Sequence, residues 1–355
     1  MFSELKIGDL EVAPIIQGGM GVGISLSGLA SAVANEGGIG VIATPNIGMN
    51  EPDFLSNFVE ANRRALKKEI GKARELSKGI IGVNVMMALT NWLDLIKTAI
   101  EEKIDAIFLG AGFPPDPLQF VIEGMKTKII PIISSARAAG IIAKKWTIRK
   151  YPPPDAFVVE GPRAGGHLGF AENQINDSKY ALEKLVPEVI EALNPYKKNG
   201  RPIPIIAAGG VFTGADIHKF LQLGAAGVQM ATRFVATHEC DANIRFKEAY
   251  INAKESDIVI IKSPVGMPGR AIGNNFLNEV SNGNKKPFSC PFHCLRTCDI
   301  ETAPYCISFA LMNAKKGNLS RGFAFAGANA HRVDKIVSVK ELFASLRKEY
   351  EDAEK

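Results

Sequence analysis

The chain holds five histidines, and His167 is the one whose neighbours suit chemistry. It lies in Gly161-Pro162-Arg163-Ala164-Gly165-Gly166-His167-Leu168-Gly169, just after an apolar run that ends in Glu160. Imidazole exchanges a proton near neutral pH, and flanking glycines let a substrate come close to it. A catalytic or substrate-contacting role is expected for His167, whereas His218, His238, His293 and His331 have no comparable setting. A second feature is Gly209-Gly210 after an apolar run, followed by Val211-Phe212-Thr213-Gly214 and a helical pattern. The next apolar run ends Gln229-Met230-Ala231-Thr232, with Arg233 behind it. Glycines that let backbone approach, N–H groups at a helix start, a hydroxyl and a cation together suit a phosphate. The alternative is that Gly209-Gly210 only makes a tight turn.

Other candidates surround a ligand of a different shape. Gln17-Gly18-Gly19-Met20-Gly21-Val22-Gly23 lacks the G-x-G-x-x-G spacing of a dinucleotide turn, so it fits close backbone approach to a flat ring system better. Asn84 stands in the otherwise apolar Ile81-Gly82-Val83-Asn84-Val85, where it must find hydrogen bonds, either within the protein or to the amide or imide edge of a ligand. Ser134-Ser135 offers a hydroxyl contact or a helix cap.

These residues need a frame to hold them. Eight short apolar runs, at 12–17, 39–44, 80–86, 105–110, 128–134, 155–160, 203–208 and 227–232, alternate with amphipathic segments at 26–36, 53–70, 92–103, 118–125, 137–147, 181–193, 214–223 and 243–253. Near-continuous apolar strands followed by helices form a parallel sheet covered by helices. Eight such units predict an α/β fold, a (β/α)8 TIM barrel, over a doubly wound open sheet. The candidates at 17–20, 84, 160–167, 209–210 and 229–232 all follow strand ends, which is where such barrels keep their sites. The expected division is a barrel over 1–255 and a C-terminal extension over 256–355 that folds back on it, with helices at 305–316 and from residue 339.

Composition excludes several classes. The 355 residues are 46% hydrophobic and 22% charged, ordinary values for a globular chain and wrong for a disordered or fibrous one. A net charge of +5 without long basic blocks gives no nucleic-acid footprint. The N-terminal segment lacks a secretory pattern, and the apolar stretch 15–47 is broken by glycines, Asn35, Glu36 and Pro45. The expectation is a cytoplasmic protein with a small-molecule substrate and no nucleic-acid or membrane partner, whose tail could cover the barrel or join two copies as a homodimer. Four of the five cysteines, Cys290, Cys294, Cys298 and Cys306, fall in one short span, with Cys240 apart. Four thiolates could hold an iron–sulfur cluster or zinc, could be redox-active, or could be small buried side chains.

In order, PIIQGGMG, GVNVM, EGPRAGGHLG, PIIAAGGVFTG and QMATRF resemble the nitronate monooxygenase (2-nitropropane dioxygenase) family, which includes flavin-containing enoyl-acyl-carrier-protein reductases. The resemblance spans about residues 5–280. It implies a TIM barrel that binds FMN non-covalently through Gln17, Gly18, Gly19, Met20, Asn84, Glu160, Gly165, Gly209, Gly210, Gln229, Met230, Ala231 and Thr232. It implies that His167 is the active-site histidine, acting as base or orienting an anionic nitronate that is oxidised with O2. Gly18-Gly19 in place of Gly-Pro, and Glu160 in place of Gln, lean toward the reductase branch, for which NAD(P)H is the reductant and enoyl thioesters or quinones the substrates. Ala326-Gly327-Ala328-Asn329 replaces an Ala-Gly-Gln stretch of the family, and the cysteine cluster stands outside the family core. A barrel that binds flavin or phosphate without catalysis is the third possibility.

Overall fold

The structure is a computed structural model describing residues 2–114, 116–121, 124–284 and 288–355, the side chain of Leu118 excepted. Eight parallel strands form its centre: β1 (Ile15–Gln17), β2 (Gly40–Ala43), β3 (Ile81–Met86), β4 (Ala106–Gly110), β5 (Lys128–Ile133), β6 (Phe157–Glu160), β7 (Ile205–Ala208) and β8 (Gly227–Met230). Each pairs with the next in sequence, β8 pairs with β1, and a parallel bridge between Ile16 and Ile39 joins β1 to β2. The sheet is therefore a (β/α)8 barrel, as the eight beats of the sequence predict.

Strand residues alternate between two apolar clusters. Ile15, Val83, Phe157, Val159 and Val228 face the helices, whereas Ile16, Phe108, Val158 and Ile206 fill the barrel. An antiparallel hairpin, Leu5–Ile7 with Leu10–Val12, plugs the barrel floor through Leu5, Ile7 and Val12. The mouth is left to the C-terminal strand ends.

Around the sheet run α1 (Ser27–Asn35), α2 (Phe58–Leu76), α3 (Trp92–Glu101), α4 (Ala136–Ile148), α5 (Leu182–Leu193) and α6 (Gly214–Gln222). Ser135 caps α4, its Oγ accepting from the Ala138 N–H at 3.2 Å. Thr213 and Asp216 form a capping box on α6. The predicted helix at 118–125 is replaced, among the described residues, by one 3-10 turn at Pro117–Gln119, and residues 122–123 lie outside the described residues. Helix α2 begins five residues later than the pattern predicts, because Asp53 accepts from Asn57 and pairs with Arg64 in a preceding turn.

A short α7 (Thr232–Val235) and α8 (Ile244–Ile251) follow β8. The extension packs on the barrel. Strands Ile258–Lys262 and Pro268–Ile272 form a hairpin whose second strand pairs with Gly166–His167. Then come α9 (Asn275–Ser281), the cysteine-bearing loop, α10 (Ile307–Lys315) and α11 (Val339–Ala353). Helix α11 buries Leu342, Phe343 and Leu346 in the main core, and its Glu349 accepts from the Gly214 N–H at 2.7 Å and pairs with Arg233 at 3.1 Å. No helix among the described residues is long and apolar enough to cross a membrane.

Candidate active site

The alternation of each strand decides which terminal residues reach the barrel mouth. Asn84 has the parity of Gly82, Glu160 that of Val158, and Gln229 that of Gly227, so all three turn inward. Gln17 has the parity of Ile15 and turns outward. Its side chain is fully buried, with Nε2 donating to Ser25 Oγ at 3.0 Å and Oε1 accepting from the Val41 N–H at 2.9 Å. Gln17 does not line the cavity; it ties β1 to β2.

A cavity of about 310 Å³ lies at the mouth. It brings together Gly18, Gly19 and Met20 from the turn after β1, Asn84 from β3, Glu160 from β6, and Gly165 and His167 from the segment after it. Gly209 and Gly210 after β7, and Gln229, Met230, Ala231 and Thr232 at β8, complete the opposite wall. The glycines are sterically required. A Cβ on Gly19 would lie 2.5 Å from Asn84 Cβ, and one on Gly165 would lie 2.5 Å from the carbonyl carbon of Ala326. Gly209 and Gly210 have φ of +85° and +108°, in a range that favours glycine.

The phosphate argument needs one change. At the start of α6, Asp216 takes the N–H groups of Phe212 and Thr213, and Glu349 takes that of Gly214. Arg233 pairs with Glu349 and does not line the cavity. The cation at the cavity is Arg163 instead. Its Nη2 donates to Asn329 Oδ1 at 3.0 Å, and Asn329 Nδ2 donates to the Gly210 carbonyl at 2.7 Å. Gly327 lies beside Thr232, where a Cβ would come 2.7 Å from Oγ1. Arg163, Asn329 and Gly327 form this corner with Gly210 and Thr232. Asn329 lies in the stretch that replaces the family's Ala-Gly-Gln, whereas Arg163 was not singled out in the sequence; the two meet across 166 residues of chain. Arg270 is buried beneath the loop and holds it by donating to the carbonyls of Pro162 and Ala164, both at 2.6 Å.

Glu160 and His167 are two of the titratable groups that line this space. Burial pushes the Glu160 carboxyl up to about 7 and the His167 imidazole down to about 4. Both thus favour the neutral form. His167 Nε2 lies 2.8 Å from Ser263 Oγ, and its ring packs edge-on against Phe325 with centroids 4.9 Å apart. Oε1 of Gln229 is buried with no hydrogen-bond partner among the described residues, an acceptor aimed at something the protein does not supply. Met20, Met86, Leu295, Ile307, Leu311 and Phe325 give the cavity an apolar side, and the last four come from the extension.

The cysteine loop runs along this rim. Leu295 bridges Leu89, and the Thr90 N–H donates to the Cys294 carbonyl at 3.1 Å. Cys294 is buried with Sγ 3.1 Å from Ser308 Oγ, and Cys290 Sγ accepts from the His293 N–H at 3.2 Å. Among the described residues no group of three or more His, Cys, Asp or Glu is placed to hold a metal ion. The iron–sulfur or zinc option at Cys290, Cys294, Cys298 and Cys306 therefore has no support here. All four thiols are free, with Cys294 buried and Cys290, Cys298 and Cys306 half-buried.

A parallel barrel with polar groups and glycine turns gathered at its C-terminal mouth defines a barrel enzyme. The family profile described as nitronate monooxygenase matches residues 4–349, and the chain belongs to that family of oxidoreductases. A probable nitronate monooxygenase of Staphylococcus aureus (strain JH9) is 27% identical over 304 residues, 76% of this chain and 77% of that protein. FabK from Thermotoga maritima is 28% identical, with a TM-score of 0.73 over 96% of this chain and 93% of that one. A nitroalkane oxidase from Streptomyces ansochromogenes, 20% identical, shares the fold with a TM-score of 0.72 over 96% of both chains.

Proposed function

We propose that the chain is an FMN-dependent oxidoreductase of nitronate monooxygenase type, taking a small nitronate at His167 and oxidising it with O2. The observation that carries this reading is the cavity itself. It has a glycine-lined corner with Arg163 and Thr232, an unpartnered Gln229 acceptor, and His167 at one wall. The corner of Gly209, Gly210, Gly327, Thr232 and Arg163 suits the FMN phosphate, and Gly18 to Met20, Asn84 and Gln229 suit the polar edge of the ring system. When bound, FMN supplies the electron transfer between substrate and oxygen. The protein's own part is position and proton control. His167 is neutral above about pH 4 and offers a hydrogen bond, not a full charge, to the substrate. Glu160, with its carboxyl near 7, can hold or release a proton at working pH. The apolar side excludes water from the reacting face.

A second reading is favoured by that apolar side together with the FabK likeness over nearly the whole of both chains. On it, NAD(P)H is the reductant and an enoyl thioester the acceptor. The experiment loads the protein with FMN, removes oxygen, and follows the flavin absorbance. Bleaching by propyl-2-nitronate but not NADH, with oxygen uptake on re-aeration, is expected. Bleaching by NADH alone, reversed by an enoyl thioester, selects the second reading. Protein that retains no FMN overturns both.

A further inference from the structure

His167 sits on a strand of two residues, Gly166–His167, pinned to the Pro268–Ile272 strand of the extension. The turn that leads into that strand carries Ser263, a serine only 3% exposed. Its Oγ lies 2.8 Å from His167 Nε2 and also accepts from the Val265 N–H at 3.4 Å. A hydroxyl has one hydrogen to donate and two lone pairs to offer. Here the Val265 N–H takes a lone pair, and among the described residues Nε2 is the one acceptor within reach of the hydrogen. If the ring carried its proton on Nε2, the buried hydroxyl would keep an unused hydrogen, which folding disfavours. Phe325 packs edge-on against the ring in this orientation. Among the described residues Nδ1 has no hydrogen-bond partner, and His167 lines the cavity.

We propose that Ser263 is a positioning residue that fixes the tautomer of His167: its hydroxyl donates to Nε2, and the ring presents Nδ1–H to the substrate as a hydrogen-bond donor. This rests on the reading of His167 as the substrate-contacting group, and it decides between the two roles left open for that residue. The lone pair a base would need is on Nε2 and is committed to Ser263. His167 therefore steadies an oxygen of a preformed anion and does not take a proton from carbon. The substrate class is the nitronate, not its neutral nitroalkane acid. The same donor would serve the thioester carbonyl on the second reading.

The test uses the full chain loaded with FMN and labelled with nitrogen-15 in its five histidines. His167→Ala identifies the His167 ring signals. The expected spectrum shows a protonated Nδ1 and an unprotonated, hydrogen-bonded Nε2. An Nε2–H pattern in the unmutated protein overturns the proposal, and this measurement needs no variant of Ser263. In Ser263→Ala the pattern is expected to shift to Nε2–H, with kcat on propyl-2-nitronate down about tenfold and KM nearly unchanged. Ser263→Thr, which keeps the hydroxyl, should restore both. Loss of activity in Ser263→Ala with the nitrogen pattern unchanged would mean a merely structural role and overturn the proposal. Turnover of neutral 2-nitropropane as fast as its nitronate would also overturn it. If the unmutated enzyme ignores nitronates altogether, the functional reading falls, while the nitrogen spectrum still decides the tautomer.

Discussion

Glu160 and His167 face one cavity, and burial drives both toward neutrality from opposite sides. A raised carboxyl is a stability statement with a definite sign. Glu160 has its folded pKa near 7, above the ordinary 4.5, so its contribution is fully favourable below pH 4.5 and lost as pH rises to 7. The cost at and above pH 7 reaches up to about 3 kcal/mol, from roughly 1.4 kcal/mol per pH unit. Glu160→Gln removes it. That variant, free of FMN, is expected to melt higher than the parent at pH 8 and no higher at pH 4.5. Melting curves at the two pH values check this, and equal differences at both would reject it. His167 works the other way. Its folded pKa near 4 lies below the ordinary 6.5, so its contribution is present above 6.5 and lost as pH falls toward 4. For catalysis, His167→Ala is expected to lower kcat/KM on nitronate by about a hundredfold or more while FMN stays bound. Steady-state rates alongside the flavin spectrum separate that from loss of cofactor.

At the scale of elements, the site is a contact between the loop after β6 and the segment 325–329. The backbones touch so closely at Gly165 that no side chain fits, since a Cβ would meet Ala326 at 2.5 Å and the Gly327 nitrogen at 2.6 Å. Gly165→Ala is therefore expected to cost about 1–3 kcal/mol of stability and to weaken FMN retention, because the same shift moves Arg163 off Asn329. Denaturant melts and FMN titration measure the two effects. Gly166→Ala is the control, for a Cβ there meets nothing within 4 Å, although its φ of +79° still adds backbone strain. This contact marks what the sequence could show. The eight strands were legible because a buried parallel strand is apolar along its length, and the inward residues Asn84 and Glu160 followed from the strand ends. Gln17 was expected among the site residues, and alternation, with Ile15 facing the helices and Ile16 the barrel, turns its side chain outward. Asn329 was legible only through the family stretch that it replaces, and Ser263 and Phe325 were not legible as site residues, because no local pattern states which distant turn comes to rest on a loop.

For the whole molecule, the extension is joined to the barrel by too many shared parts to behave as an appendage. It adds two strands to the one carrying His167, supplies Leu295, Ile307, Leu311 and Phe325 to the apolar side of the cavity, and places Phe343 and Leu346 in the barrel's outer core. Glu349 of α11 stands at the N-terminus of α6 and neutralises Arg233. We propose that the boundary at residue 255 is one of sequence only, so barrel and extension should unfold together. Calorimetry of the full chain is expected to show one transition, with calorimetric and van't Hoff enthalpies in agreement. Two separable transitions would mean that the extension is its own folding unit. Glu349→Gln keeps the shape but removes the charge facing Arg233, and should lower stability by about 1–3 kcal/mol because it leaves a part-buried guanidinium without its carboxylate. If the units are coupled, that change in α11 also loosens FMN at Gly209 and Gly210, one turn away across the start of α6. An unchanged FMN affinity in a destabilised Glu349→Gln protein would show that the extension supports the fold without tuning the site.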